Sequence, residues 1–211
     1  MKYYFRLFVY LFVSIGFSST HADSYDDFFR AVGVDNDRTV KQLLERGFDP
    51  NTPDPKGQVG LYLALREGSL RVAETLLQHQ KLKIDAVNAA DETPLMMAAL
   101  RGNLEWTRRL LDRGAQVDRP GWTPLHYAAT GPEPKVVTLL LDRGARIEAR
   151  SPNGSTPLMM AARYGAEEGA EILLARGASV AARNDLGLGA ADFAREGGRE
   201  KLAAKLERPA R

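Results

Sequence analysis

The chain has 211 residues, with 29 Lys and Arg against 27 Asp and Glu, a formal charge of +2, and no cysteine. The missing cysteine excludes disulfides and thiolate chemistry. The balanced charge, with arginines interleaved among acids as in Leu140-Leu141-Asp142-Arg143, argues against nucleic acid as a partner, because that role calls for a basic face.

In chain order, residues 1–22 read as a secretory signal. Lys2 and Arg6 give a basic start, residues 7–17 form an apolar run broken only by Ser14 and Gly16, and Ser18 to Ala22 are small or polar. A membrane-spanning helix needs about 20 apolar residues, so a cleaved leader is favoured over an anchor, with Asp23 as the new N-terminus. Losing Lys2 and Arg6 leaves 27 charges of each sign. A leader without cysteines points to the periplasm, with full secretion as the alternative and no membrane contact after cleavage.

From residue 24 onward a theme recurs, clearest at Thr93-Pro94-Leu95-Met96-Met97-Ala98-Ala99, Thr123-Pro124-Leu125-His126-Tyr127-Ala128-Ala129 and Thr156-Pro157-Leu158-Met159-Met160-Ala161-Ala162. Taking Asp26, Val59, Thr93, Thr123, Thr156 and Gly189 as equivalent starts gives intervals of 33, 34, 30, 33 and 33 residues. Five places on, every unit has alanine (Ala31, Ala64, Ala98, Ala128, Ala161, Ala194), and seventeen places on, every unit has leucine (Leu43, Leu76, Leu110, Leu140, Leu173, Leu206). A period near 33 residues means stacked helical units.

Each unit has a physical reading. Threonine caps a helix and proline is tolerated at its first position, so Thr-Pro opens a short first helix. Alanine on its inner stripe lets neighbouring units approach closely. Gly68, Gly102, Gly165 and Gly198 turn the chain into a second helix whose Leu-Leu pair faces inward, and Gly47, Gly114, Gly144 and Gly177 end it where a left-handed backbone is needed. Gln80 replaces that glycine in one unit. Polar, turn-rich stretches such as Arg150 to Ser155 then lead to the next threonine.

These units resemble ankyrin repeats over roughly Ser24 to Glu207. The run Thr123 to Ala129, followed by Leu139-Leu140-Leu141 and Asp142-Arg143-Gly144-Ala145, is close to that family's consensus. The expected fold is all-α, a solenoid of paired antiparallel helices joined by β-hairpin-like loops. The expected division is a leader at 1–22, an N-terminal capping repeat at 23–53 and repeats at 54–87, 88–117, 118–150 and 151–183. A C-terminal capping repeat and tail follow at 184–211.

The resemblance implies binding through loop tips and the concave face of the first helices. That assigns partner contact to Gln58, Glu92, Trp122 and Ser155 before the helices, and to Arg66, Glu67, Leu100, Arg101, Thr130, Arg163 and Tyr164 at the first-helix ends. Trp122 stands out, either as an aromatic anchor for a partner or as a ring packed on the adjacent hairpin, whereas Trp106 reads as core. The unit after Thr93 is three residues short, within Ala115 to Gly121, and Pro132-Glu133-Pro134 replaces the usual turn after the next first helix. Both irregularities predict a local notch flanked by Trp122 and Thr130.

Catalytic motifs are weak by comparison. His21 leaves with the leader, so His79 and His126 remain, 47 residues apart with no zinc-type spacing. The resemblance implies a structural role for His126, its ring bonding to neighbouring backbone. Gly187-Leu188-Gly189 lacks the third glycine of a dinucleotide loop and reads as a repeat loop. Acid pairs such as Asp26-Asp27 and Glu167-Glu168 diverge on a helix.

The sequence therefore points to a non-catalytic, exported, monomeric protein that binds another protein, with no cofactor and no metal. One alternative, implied by the resemblance to small exported bacterial ankyrin-repeat proteins, is an accessory or protective factor for a periplasmic enzyme, for example in peroxide defence. Another, a hydrolase or metal enzyme, is disfavoured.

Overall fold

The structure, a computed structural model, describes residues 23–207, so the expected leader lies outside the described residues. The chain divides into two units, residues 1–83 and 84–211. Among the described residues the regular elements are helices, and the single strand-type pairing is an isolated bridge between Pro53 and Val59. No described helix is long and apolar enough to cross a membrane.

The first unit holds α1 (residues 23–33), α2 (Asp37–Glu45), α3 (Gly60–Glu67) and α4 (Leu70–Leu77). Its centre is aromatic: Phe28 is fully buried, stacks on Phe48 at 4.6 Å and meets Phe29 edge-on at 5.1 Å. The end of α4 departs from the sequence reading. With no glycine available to take a left-handed turn, the helix stops at Leu77 and Gln78 caps it, one step earlier in the repeat than Arg46 caps α2. Gln80 therefore lies beyond the cap.

The second unit holds α5 (Pro94–Leu100), α6 (Leu104–Asp112), α7 (Pro124–Thr130), α8 (Pro134–Asp142), α9 (Pro157–Arg163), α10 (Glu167–Ala175), α11 (Ala190–Glu196) and α12 (Glu200–Leu206). Helices α5, α7, α9 and α11 lie side by side in chain order, and α6, α8 and α10 form a second row behind them. The predicted starts hold, since Thr93, Thr123 and Thr156 are the N-caps and proline follows each.

The alanine stripe explains how closely the first row packs. Ala98, Ala128, Ala161 and Ala194 are all buried, and at Gly165 a Cβ would fall 1.9 Å from the Ala129 carbonyl oxygen. Behind them Leu110, Leu140 and Leu173 are fully buried, while the second leucine of each pair, Leu111, Leu141 and Leu174, is only half-buried. Trp106 is buried as expected, with the Arg109 guanidinium 4.5 Å from its ring centroid. At Gly144, φ is +89°, the left-handed geometry that a second-helix end requires.

Loops are built to a common plan. The first residue of each accepts, on its side chain, the N–H of the residue four places on, and donates its own N–H to that residue's carbonyl. This pairs Asp54 with Gln58, Asn88 with Glu92, Ser151 with Ser155 and Asn184 with Leu188. The hairpin reading of Gly187-Leu188 follows from the last of these.

In the second unit an acid one turn earlier clasps the backbone of the next unit. Asp85 accepts the Gln116 N–H at 3.1 Å, Asp118 the Arg146 N–H at 2.8 Å and Glu148 the Ser179 N–H at 2.7 Å. Desolvation raises the Asp85 carboxyl above its ordinary range, opposed by the Gln116 N–H and the Arg119 charge.

Candidate functional site

The shortened stretch shapes the site. Asp118 occupies the clasp position of Asp85 and Glu148, so the three missing residues correspond to Ala149-Arg150-Ser151, which include the loop opener. Without it, residues 118–122 lack the closing pair of bonds, and Asp118 Oδ1 is left buried with no partner among the described residues. Arg119 folds back instead, donating to the Asp91 carbonyl at 2.7 Å and to its carboxylate at 2.6 Å.

This stretch delivers Trp122 to the mouth of α7. Its ring stands edge-on to the His126 ring at 5.3 Å. His126 is buried, and its two nitrogens are fixed by backbone: Nδ1 accepts the Thr123 N–H at 3.2 Å, so Nε2 carries the proton and donates to the Ser155 carbonyl at 3.0 Å. Burial pushes the imidazole below its ordinary value of 6.5, against the opposing effects of the Ser155 bond and the Asp118 charge. The role implied for His126 is the one the structure shows.

Trp122 then walls a pocket of about 230 Å³ together with Leu100 of α5, Tyr127 and Thr130 of α7, and Met160 of α9. Tyr127 and Thr130 share a helix face at i, i+3 spacing. The Tyr127 hydroxyl donates to Glu92 Oε1 at 2.8 Å, and Glu92 Oε2 accepts from Asn88 at 2.7 Å, so the rim is pinned to the preceding loop. Thr130 turns its hydroxyl to the His126 carbonyl at 2.9 Å. Small-molecule sites run to roughly 300–1,000 Å³, so this pocket is the size for one apolar side chain.

Of the sequence-derived candidates, Leu100, Trp122 and Thr130 meet at this pocket, and Glu92 braces it. Arg163 pairs with Glu196 and lies 5.0 Å from the ring centroid of the exposed Tyr164. Arg101 is exposed at the end of α5. In the first unit Arg66 bonds Gln58 at 2.9 Å and Glu67 at 2.7 Å.

Ser155 must be corrected. It is 1% exposed, closed into its loop by Ser151 and covered at its carbonyl by His126, so it offers nothing to a partner. Tyr127 and Met160 were not anticipated, because their repeat position is filled by buried Leu63, Met97 and Phe193 in three other units.

A family model of ankyrin repeats in three copies matches residues 28–120, 80–151 and 117–184. The chain belongs to the ankyrin-repeat family. Its curated relatives include the ankyrin repeat and SAM domain-containing protein 6 of Mus musculus, 30% identical over 111 residues, 51% of this chain and 13% of that protein. Protein phosphatase 1 regulatory subunit 27 of Mus musculus is 31% identical over 93 residues, 43% of this chain and 60% of that one. A putative ankyrin repeat protein of Rickettsia bellii is 26% identical over 125 residues, 54% of this chain and 35% of that one.

The ankyrin chain thus spans less than two thirds of these relatives. Among solved structures it is similar to a chain in the complex of the predatory endopeptidase of Bdellovibrio bacteriovorus with an immunity protein. There the TM-score is 0.71 and the identity 26%, over 85% of this chain and 97% of that one.

Proposed function

We propose that this ankyrin-repeat chain is an exported, monomeric binding module that holds a protein partner without catalysing a reaction on it. The observation that carries the reading is the apolar pocket of Leu100, Trp122, Tyr127, Thr130 and Met160 along the row of first helices. Its walls are set by packing and by backbone hydrogen bonds, so little ordering entropy is lost when a side chain enters. Large aromatic side chains at such positions dominate binding energy.

A second, narrower reading makes the partner an enzyme of the cell envelope that the chain restrains or protects. It is favoured by the similarity to a chain from an endopeptidase–immunity protein complex. Export rests on the basic and then apolar character of residues 1–22.

Affinity capture from an envelope fraction with the wild-type chain, Trp122→Ala and Leu100→Asp tests both readings. A partner held by wild type and lost by both variants, each still unfolding cooperatively with only a modest fall in melting temperature, is the expected result. Equal retention by all three removes the pocket from the interface. Material exported with residues 1–22 intact overturns the cleaved leader.

A further inference from the structure

The first unit carries a second opening, a cleft of about 480 Å³ between α1 and α3, and its chemistry is different. Tyr25 and Phe29 bring their rings to 4.8 Å, tilted by 58°, and Val32 and Leu63 continue the apolar surface. The Tyr25 hydroxyl donates to the Pro53 carbonyl at 3.2 Å, which holds that ring in place. Phe29 is braced from behind by Phe28.

Around this floor stand Asp26, Asp54, Glu67 and Arg66. The one cation is engaged, since Arg66 is bonded to Glu67 and Gln58. Asp54 Oδ1 accepts the N–H groups of Lys56 at 2.8 Å and Gln58 at 2.7 Å, but neither Asp54 nor Asp26 has a cationic partner among the described residues. Both carboxylates act on the same ring: desolvation first, then the charges of Asp54 and Asp26, hold the Tyr25 phenol above its ordinary range.

Two aromatic rings beside two uncompensated carboxylates form a receptor for an alkyl cation. Ring faces attract a cation through their quadrupole, and a lysine or arginine stem lies on apolar surface while its head reaches for charge. We propose that this cleft binds a lysine or arginine side chain on an extended segment of a partner protein, its stem on Tyr25 and Phe29 and its charged head at Asp26 and Asp54. Val32 and Leu63 are buried and close the floor of the cleft beneath these rings. The proposal rests on the reading of the chain as a protein-binding module, but on residues separate from the Trp122 pocket.

The test titrates the full chain with acetyl-Leu-Arg-Leu-amide, with the same peptide carrying Glu in place of Arg, and with spermidine. The readout is the amide resonances of Tyr25, Phe29 and Leu63. The arginine peptide is expected to shift them saturably, the glutamate peptide to leave them unmoved, and spermidine to bind about tenfold more weakly.

The double variant Asp26→Asn/Asp54→Asn keeps the oxygen that accepts from Lys56 and Gln58. It is expected to weaken the arginine peptide about tenfold without changing the melting temperature. Raised salt is expected to weaken wild-type binding in the same direction.

Equal response to the glutamate peptide, full binding by the double variant, or no saturable shift with any probe overturns the proposal. Equal or tighter binding of spermidine overturns it in favour of a free polyamine. Trp122→Ala is expected to leave the arginine-peptide response intact, so failure of the pocket in the second unit and failure of this cleft give separate results.

Discussion

Two loops of the second unit, residues 118–122 and 151–155, occupy the same place in successive repeats and behave differently. The second is closed on itself by Ser151, which bonds both ends of Ser155 and buries it. The first has lost its opener, leaves Asp118 Oδ1 without a partner among the described residues, and projects Trp122 onto His126 at the edge of a pocket. Removing three residues from a repeat here does not disturb the stack beneath, where Ala128 and Leu140 stay buried. It changes what the surface presents, and tolerance of that kind is expected where stability is a sum over neighbouring units.

The histidine between the two loops is the most sensitive point. His126→Ala removes the acceptor of the buried Thr123 N–H, leaves the Ser155 carbonyl with only the Ser151 N–H, opens a cavity, and is expected to cost about 2–4 kcal/mol in thermal or urea unfolding. A loss under about 1 kcal/mol would break the link between α7 and the loop at 151–155. The pH dependence has a definite sign. Because the folded imidazole titrates below 6.5, the folded state binds fewer protons than the unfolded one. Its contribution is present above about pH 6.5 and is lost as pH falls through the folded value. The acid limb of the wild-type stability profile is expected to flatten in His126→Ala.

Next in size is Gly144→Val, between the two loops. Nothing crowds a Cβ there, so the cost is purely that of a β-branched residue at φ +89°, about 1–3 kcal/mol by calorimetry. An unchanged melting temperature counts against it. Trp122→Ala loses an edge-on ring contact of about 0.5–1.5 kcal/mol, a modest stability change set against a large loss of partner capture. Inserting Ala-Arg-Ser after Asp118 restores the full-length loop and is expected to reduce capture as well. A partner that tolerates both changes does not use the pocket.

The smallest effect belongs to Ser155→Ala. The serine Oγ is buried without a partner among the described residues, so its removal is expected to change unfolding free energy by less than about 1 kcal/mol or to stabilise slightly. A clear loss of stability would mean that Oγ has a structural role in the closed loop.

Much of the architecture was legible because it is repeated. The alanine five places into each unit can be checked six times, and each copy is buried. Gly47, Gly114, Gly144 and Gly177 were readable as left-handed because helix ends impose that geometry. The end of α4 was not, since a missing glycine says that the usual stop is absent without saying where the helix stops.

The pocket was half legible. Trp122, Leu100 and Thr130 depart from the composition of their positions, which draws attention. Met160 conforms to its position, and only the structure reveals that it is half-buried. Tyr127 carried a usable signal, a hydroxyl where Leu63, Met97, Met160 and Phe193 stand in other units. Ser155 was misjudged because its place before a helix suggests exposure, while its fate depends on a bond from His126, 29 residues earlier.

The acid clasps at Asp85, Asp118 and Glu148 have a consequence for how this protein can diverge. Each grips a main-chain amide, so the gripped positions, Gln116, Arg146 and Ser179, contribute nothing through their own side chains to that bond. Any residue with an amide hydrogen can make that bond and proline alone is barred, while at position 146 the Arg146 guanidinium adds a pairing at 3.4 Å to the same Asp118 oxygen. The exterior of the repeat array can therefore be rewritten at these points to suit a new partner while the fastening between modules stays in place.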